Sequence, residues 1–391
     1  MPYVSTVLNQ LQQLLPLDEF DSFVGQHEAD KWVKHFTTKN QLTVMLYAQA
    51  KEKSSLRDIE TGLKTQGSKW YHLGLEGVSK STLARTNHNR PYDIFESLFY
   101  ELLKKCQNFS SGTASAFNFK NDLYALDSTT INLCLSLFPW ASFRKAKGAV
   151  KLHTLFNVRS QIPELIIESD GKTSDINMAR YIKLDKLAKG SIITMDRAYN
   201  DYSFMNDIHK HGHTFVIRLK KNAQIVPLKD YLVTEKGVLK DQRTAFVLPE
   251  AIQAYPEDLR LIEYQDEKTK KVYKFLTNNL KLSGKTIADI YKSRWQIELF
   301  FKWIKQHLKI KTFFGTSKNA VMIQIWVAMI YYLLLSWIKV QTKFKGSLLD
   351  LSRMIGEILL QNVPIINIIR LTPRSISRVL ARAAPSQLPL F

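Results

Sequence analysis

The sequence predicts an α/β protein: strands and helices that follow an all-helical region and are interrupted by a β-rich insertion. Three observations carry this. Apolar spacing is helical up to about residue 110, strand-like runs begin near Phe119, and a second group of short strands fills the stretch from about Asn222 to Asn279. With 391 residues, of which 45% are hydrophobic, the chain is long enough for two or three domains with real cores.

Helical repeats run through TTKNQLTVMLYAQAKEKSSLRDIETGL and PYDIFESLFYELLKKC. Between them Ser79 is placed to cap a short helix and Pro91 to open the next. That short helix carries Lys80, Ser81, Thr82 and Arg85, followed by Asn87 and Arg90, the donors and acceptors a recognition helix uses on base edges and phosphates. Strands follow as a meander in NDLYALDST, AVKLHTLFNV and IPELIIESDG. The segment from Ser174 to Lys189 predicts one helix, capped by Ser174 or Asp175, leading into the buried strand SIITMDR. YSFMNDIHKHG predicts a helix and HTFVIRLKK a strand; RTAFVLP, LRLIEYQ and KVYKFLTN supply the insertion. IYKSRWQIELFFKWIKQHL predicts a single, strongly periodic helix. The apolar run from Ala320 to Ile338 has the length of a membrane span, but Gln324 and Ser336 interrupt it and it stands alone, so it reads as a core helix. After Glu357 there is no acidic residue; Arg370 is followed by Arg374, Arg378 and Arg382, which share one helical stripe.

Charge narrows the function. Lys and Arg number 55 against 35 Asp and Glu, a net charge of +20 with a pI near 9.7, which favours a polyanionic partner, nucleic acid before membrane. The two cysteines, Cys106 and Cys134, form no CxxC, which excludes a disulfide framework or zinc site, and with no signal-peptide pattern at the N-terminus the expected location is the cytoplasm. Glycine-rich phosphate loops and a GxSxG elbow are absent, which excludes their nucleotide and hydrolase chemistries. The expected division is residues 1–115, helical and DNA-binding; 119–221, first part of a catalytic core; 222–280, the β-rich insertion; 281–340, second part of the core; and 341–391, a basic helical region.

Asp127 and Asp196 each follow an apolar strand, and Glu298 lies on the long periodic helix, so a sheet with that helix against it brings three carboxylates together. Such a set binds magnesium, a hard cation that pairs carboxylates with substrate phosphates. At about 100° per residue, Tyr291, Arg294, Glu298 and Lys305 share one stripe of the helix, beside an apolar stripe of Ile290, Ile297, Phe301 and Ile304. Each acid taken singly also suits a turn, a cap or an i, i+4 ion pair.

The intervals Tyr291, Arg294, Glu298 and Lys305, with DST at Asp127 and MDRAY at Asp196, make the chain resemble a DDE transposase of bacterial insertion sequences. The match is to the branch with the signature Tyr, two residues, Arg, three residues, Glu, six residues, Lys. It covers roughly Asp122 to Ile338; Ala198 stands where glycine is commoner. The resemblance implies a ribonuclease-H-like core, a mixed sheet of five strands flanked by helices, with a β-rich insertion before the helix that bears the last acid. It implies that Asp127, Asp196 and Glu298 hold two Mg2+ ions, Mn2+ substituting, and that Tyr291, Arg294 and Lys305 hold phosphates. Trp295 is placed to stack on a flipped base or simply to pack. Lys147 and Lys151, with Arg144, Lys145 and His153, lie along the DNA or in a solvated loop. The implied activity is binding of terminal inverted repeats, cleavage of double-stranded DNA at those ends and joining to target DNA, by a homodimer with no membrane partner. The alternatives are a metal-dependent nuclease without strand transfer and a non-catalytic DNA-binding relative.

Overall fold

The computed structural model describes residues 5–110, 117, 119–144, 147–220, 222–307 and 313–369. Seven helices come first: α1 (Val7–Gln13), α2 (Leu17–Gln26), α3 (Thr38–Ala50), α4 (Leu56–Lys64), α5 (Trp70–Leu73), α6 (Lys80–Asn89) and α7 (Asp93–Ser110). Then come β1 (Leu123–Leu133), β2 (Ser142–Arg144), β3 (Lys147–Asn157), β4 (Ile162–Asp170), α8 (Asp175–Ala179), β5 (Ile192–Met195), α9 (Tyr202–Lys210) and β6 (Thr214–Arg218). The insertion supplies β7 (Ile225–Asp230), β8 (Val238–Phe246), α10 (Pro249–Ala254), β9 (Leu259–Gln265) and β10 (Val272–Thr277), and the chain continues through α11 (Gly284–Ser293), α12 (Trp295–His307), α13 (Lys318–Thr342), α14 (Leu348–Ile358) and α15 (Ile365–Ile369). These form two compact units, Met1–Ser110 with His307–Phe391, and Ser111–Gln306.

The helical unit is built around α13. Because it is apolar on every side it must be surrounded, and it packs on α7, α3, α6 and α14. Its Trp326 lies 5.2 Å from Phe99 and 6.0 Å from Tyr100 between ring centroids. Its most apolar stretch is 89% buried among protein side chains, as the core-helix expectation required. This need to be enclosed also corrects the boundary expected at residue 340: α13 belongs with the helices, not with the sheet. Ser79 caps α6 as expected, accepting from the Thr82 amide at 3.1 Å.

Among the described residues the second unit holds one sheet of ten strands in the order β2-β3-β1-β5-β6-β10-β9-β8-β7, with β4 also paired to β3. Strands β4, β3 and β1 run antiparallel, β5 and β6 run parallel to β1, and β10, β9, β8 and β7 continue antiparallel. The insertion therefore extends the sheet edge to edge, since β10 pairs with β6 along Val216 to Arg218. One face of the sheet buries Tyr124, Leu126 and Met195 against Phe204, Met205 and Ile208 of α9; the other buries Leu123, Ile192 and Val216 against Ile287 and Ile290 of α11.

Two expected helices are broken. The segment from Ser174 to Lys189 forms only the short α8, capped by Ser174, and a separate turn at Leu184–Lys186. Ile182 and Leu184 are both buried, yet they lie about 200° apart on a helix, and the ring of His213 holds the Leu184 carbonyl at 2.9 Å. The periodic stretch of residues 290–307 is two helices meeting at Arg294, which keeps helical dihedrals while its amide bonds Tyr291 O, three residues back.

Candidate active site

The pairing register places the first two acids. Leu126 is paired with Met195 across parallel strands, so the residues that follow, Asp127 and Asp196, stand side by side. Side chains alternate along a strand. Leu126 and Met195 face α9, and Asp127 and Asp196 are therefore turned to the face that carries α11 and α12. The third acid, Glu298, sits one turn into α12.

Arg294 joins two of them. Its Nη1 lies 2.7 Å from Oδ2 of Asp127 and its Nη2 2.5 Å from Oε1 of Glu298, and only 14% of its side chain is exposed. Its guanidinium also lies 5.7 Å from the Tyr291 ring centre, within cation–π range, and Tyr291 packs at 4.7 Å on Phe275.

Burial pushes the Asp127 carboxyl up to about 6, against the lowering pull of Arg294 and the Ser128 amide; the nearby charges of Asp196 and Glu298 push it further up. All three acids thus share one electrostatic environment. Asp196 Oδ1 accepts from the Ala198 amide at 2.5 Å, which fixes the turn after β5. Among the described residues no three His, Cys, Asp or Glu side chains are grouped closely enough to hold a metal ion. The donor set nonetheless suits a hard cation, since Asp127 and Glu298 already share one positive group and Asp196 adds a third carboxylate.

Beside Glu298 lies a recess of about 380 Å³ walled by Arg218, Tyr273, Phe275, Tyr291 and Trp295. Tyr273 and Phe275 are stacked at 6.1 Å and 6°, the Arg218 guanidinium lies 4.9 Å from the Tyr273 ring centre, and Trp295 is 57% exposed. Sequence reasoning missed Arg218 and Tyr273. The signal was available for Arg218, which ends the strand next to that of Asp196, at the strand ends where α/β sites gather.

Other expected contacts fare unevenly. Lys305 is exposed on α12, with no ion pair to the acids. Lys151 does not lie free along a DNA path: its Nζ is 2.9 Å from Oδ1 of Asp175, and its side chain is 14% exposed. His153 is buried too, 3.3 Å from the same oxygen and hydrogen-bonded to Ser169 Oγ at 2.8 Å. Both belong to the face of β3 that turns inward opposite Ser128 and Thr130. Lys145 and the side chains of Arg144 and Lys147 lie outside the described residues, as do Arg370, Arg374, Arg378 and Arg382. In the helical unit Lys80 and Arg85 are exposed on α6. Asn87 and Arg90 are buried instead: Asn87 bonds Gln41 at 2.7 Å, and Arg90 bonds Gln41 and lies 3.1 Å from Asp30, so neither is available to bases.

Residues 118–334 match the family model of the transposase DDE domain, and residues 4–76 match a domain of unknown function. A probable transposase for insertion sequence element IS5377 of Geobacillus stearothermophilus is 29% identical, over 69% of this chain and 70% of its own length. The putative transposase y4zB of Sinorhizobium fredii is 31% identical over 65% and 69% respectively. Among solved structures, the piggyBac transposase in its synaptic complex with hairpin DNA aligns with 98% of this chain and 86% of its own, at 12% identity and a TM-score of 0.48.

Proposed function

The chain belongs to the transposase DDE domain family, and from that premise we propose that it binds the terminal inverted repeats of an insertion sequence, cleaves DNA at those ends and joins them to target DNA. The observation that supports this reading is that Asp127 and Glu298, from a strand and a helix, share the Arg294 guanidinium and lie within the electrostatic reach of Asp196 on the neighbouring strand. The run β4-β3-β1-β5-β6, three antiparallel strands followed by two parallel to β1, supports a ribonuclease-H-like core.

Asp127, Asp196 and Glu298 would hold magnesium, or manganese in its place; when bound, the ions lower the pKa of an attacking water or 3′-hydroxyl and offset charge on the leaving oxygen. The protein's own groups do the positioning. Arg294 fixes the Asp127 and Glu298 carboxylates through its fork, which also suits a phosphate. Tyr291 holds that guanidinium in place from below, and Lys305 offers a point charge to the DNA backbone. Trp295 and the aromatic recess next to it suit a base turned out of the duplex. Lys80 and Arg85 on α6 would read the repeat, and two protomers would pair the two ends.

An assay with end-containing DNA and magnesium tests this. Wild type is expected to release the ends and to yield joined product, and Glu298→Gln to do neither. Release without joining supports a nuclease instead, and unchanged activity in Glu298→Gln removes the carboxylate mechanism.

A further inference from the structure

The recess beside Glu298 is backed, across the sheet, by a second, more charged depression. Arg218 lines both. The second is a groove of about 610 Å³, and its charged lining is Arg197, Arg218, Lys220, Lys240, Glu263 and Lys274. Five cations thus face one carboxylate. Lys274 is paired with Glu263 at 2.6 Å, and among the described residues the other four form no ion pair.

The register explains the alignment. Lys240 is paired with Glu263, Glu263 with Lys274, and the Lys274 carbonyl accepts from the Leu219 amide, so one row crosses β8, β9 and β10 to the end of β6. Arg197, in the turn that follows Asp196, lines the same groove. At about 4.8 Å per strand the row from β6 to β8 spans about 14 Å, the axial rise of roughly four nucleotides of a duplex. Unpaired cations on a surface at that spacing are self-repelling, and a polyanion relieves the repulsion.

We propose that this groove binds the phosphate backbone of the DNA strand that passes the three acids, carrying it around the end of β6 and across β10, β9 and β8. The partner is DNA, and the inference rests on the function proposed above for its link to the cleavage site. The insertion then acts as a backbone clamp. Its specificity is for charge and spacing, because Lys220 and Lys240 meet phosphates rather than bases.

The test measures binding, without divalent metal, of wild type and the double variant Lys220→Ala/Lys240→Ala to end-containing duplexes, one with DNA extending beyond the cleavage point and one cut flush there. For the longer duplex the double variant is expected to bind about tenfold more weakly at 0.15 M salt. Its log–log salt slope should be shallower by about 1.4 to 1.8, the value for two released counterions. For one of the two duplexes the loss should be markedly smaller, since the groove follows one side of the cut. Lys220→Arg/Lys240→Arg should restore the slope, and melting temperatures should be equal throughout. An unchanged slope in the alanine variant, or an equal loss on both duplexes, overturns the clamp. Failure of wild type to cut ends in magnesium, with the slope still reduced in the variant, overturns the proposed function and not the groove.

Discussion

Arg294 meets Asp127 at 2.7 Å across 167 residues of sequence, and in the same fork holds Glu298 one helical turn away. One planar cation thereby sets the distance between an acid on a strand and an acid on a helix. A lysine at this position delivers a point charge on a flexible stem and lacks the planar fork that fixes both oxygens at once. Arg294→Lys is therefore expected to lower end cleavage about 100-fold, as the two carboxylates lose their mutual placement. Guanidinium is also the foremost influence drawing the Asp127 pKa down, so in Arg294→Ala a carboxyl NMR titration should find Asp127 titrating higher than in wild type. Cleavage within threefold of wild type in Arg294→Lys would refute the bridging role.

Asp127 carries a pH dependence of stability. Burial raises its folded pKa to about 6, above the unfolded value of about 3.9. Its charged form is thus disfavoured by folding, and the stability it contributes is fully present below about pH 4 and lost as pH rises through about 6. In urea unfolding without divalent metal, wild type should lose stability relative to Asp127→Asn between pH 4 and pH 7. A gap between the two proteins that stays constant over that range contradicts the buried, raised carboxyl.

Much of this was written in local pattern, and the losses have physical causes. Strands β1, β3, β4, β5 and β6 were legible because apolar runs end at turn residues, and the acids because Asp127, Asp196 and Glu298 close or ride on such runs. Arg294 was visible as a helix partner of Glu298, but its bond to Asp127 joins residues 167 apart, a contact that helical periodicity does not encode. Lys151 and His153 looked like surface cations because their partner, Asp175, lies on another element; only the β1–β3 register shows that they turn inward. Asn87 and Arg90 were misjudged likewise, since Gln41 and Asp30 are too distant in sequence to signal a buried polar cluster. The attachment of the insertion to β6 is a long-range pairing that no local signal announces.

Asp241 and Arg260 form a buried, two-pronged ion pair between β8 and β9, with Nε 2.7 Å from Oδ1 and Nη2 2.6 Å from Oδ2, both side chains 8% exposed. Arg260 also donates to the carbonyl of Leu282, immediately before Ser283, the N-cap of α11. The pair therefore ties the insertion to the helix that leads to Arg294. Removing one member leaves an uncompensated buried charge, so Asp241→Ala is expected to cost about 3–5 kcal/mol in urea unfolding. A loss below about 1 kcal/mol would show that the pair is not buried in solution.

Asp175 plays a comparable part behind the acids. Its Oδ1 lies 2.9 Å from Lys151 Nζ and 3.3 Å from His153 Nδ1, and these groups, with Ser128, hold its carboxyl well below the usual range despite the opposing effect of burial. Ser128 follows Asp127 directly, so α8 is fastened to the strand that carries the first acid. Asp175→Ala strands the Lys151 ammonium in a site only 14% exposed, and a cost of about 3 kcal/mol is expected, the low end for a buried pair because Asp175 is itself 21% exposed. Replacing both charges, as Asp175→Leu with Lys151→Met, should recover part of that stability, the remainder being the cost of leaving the buried His153 without its acceptor. The double variant also separates packing from DNA contact. If Lys151 neutralised a phosphate, its salt slope for DNA binding would fall by about 0.9; with the ammonium committed to Asp175, the slope should match that of wild type.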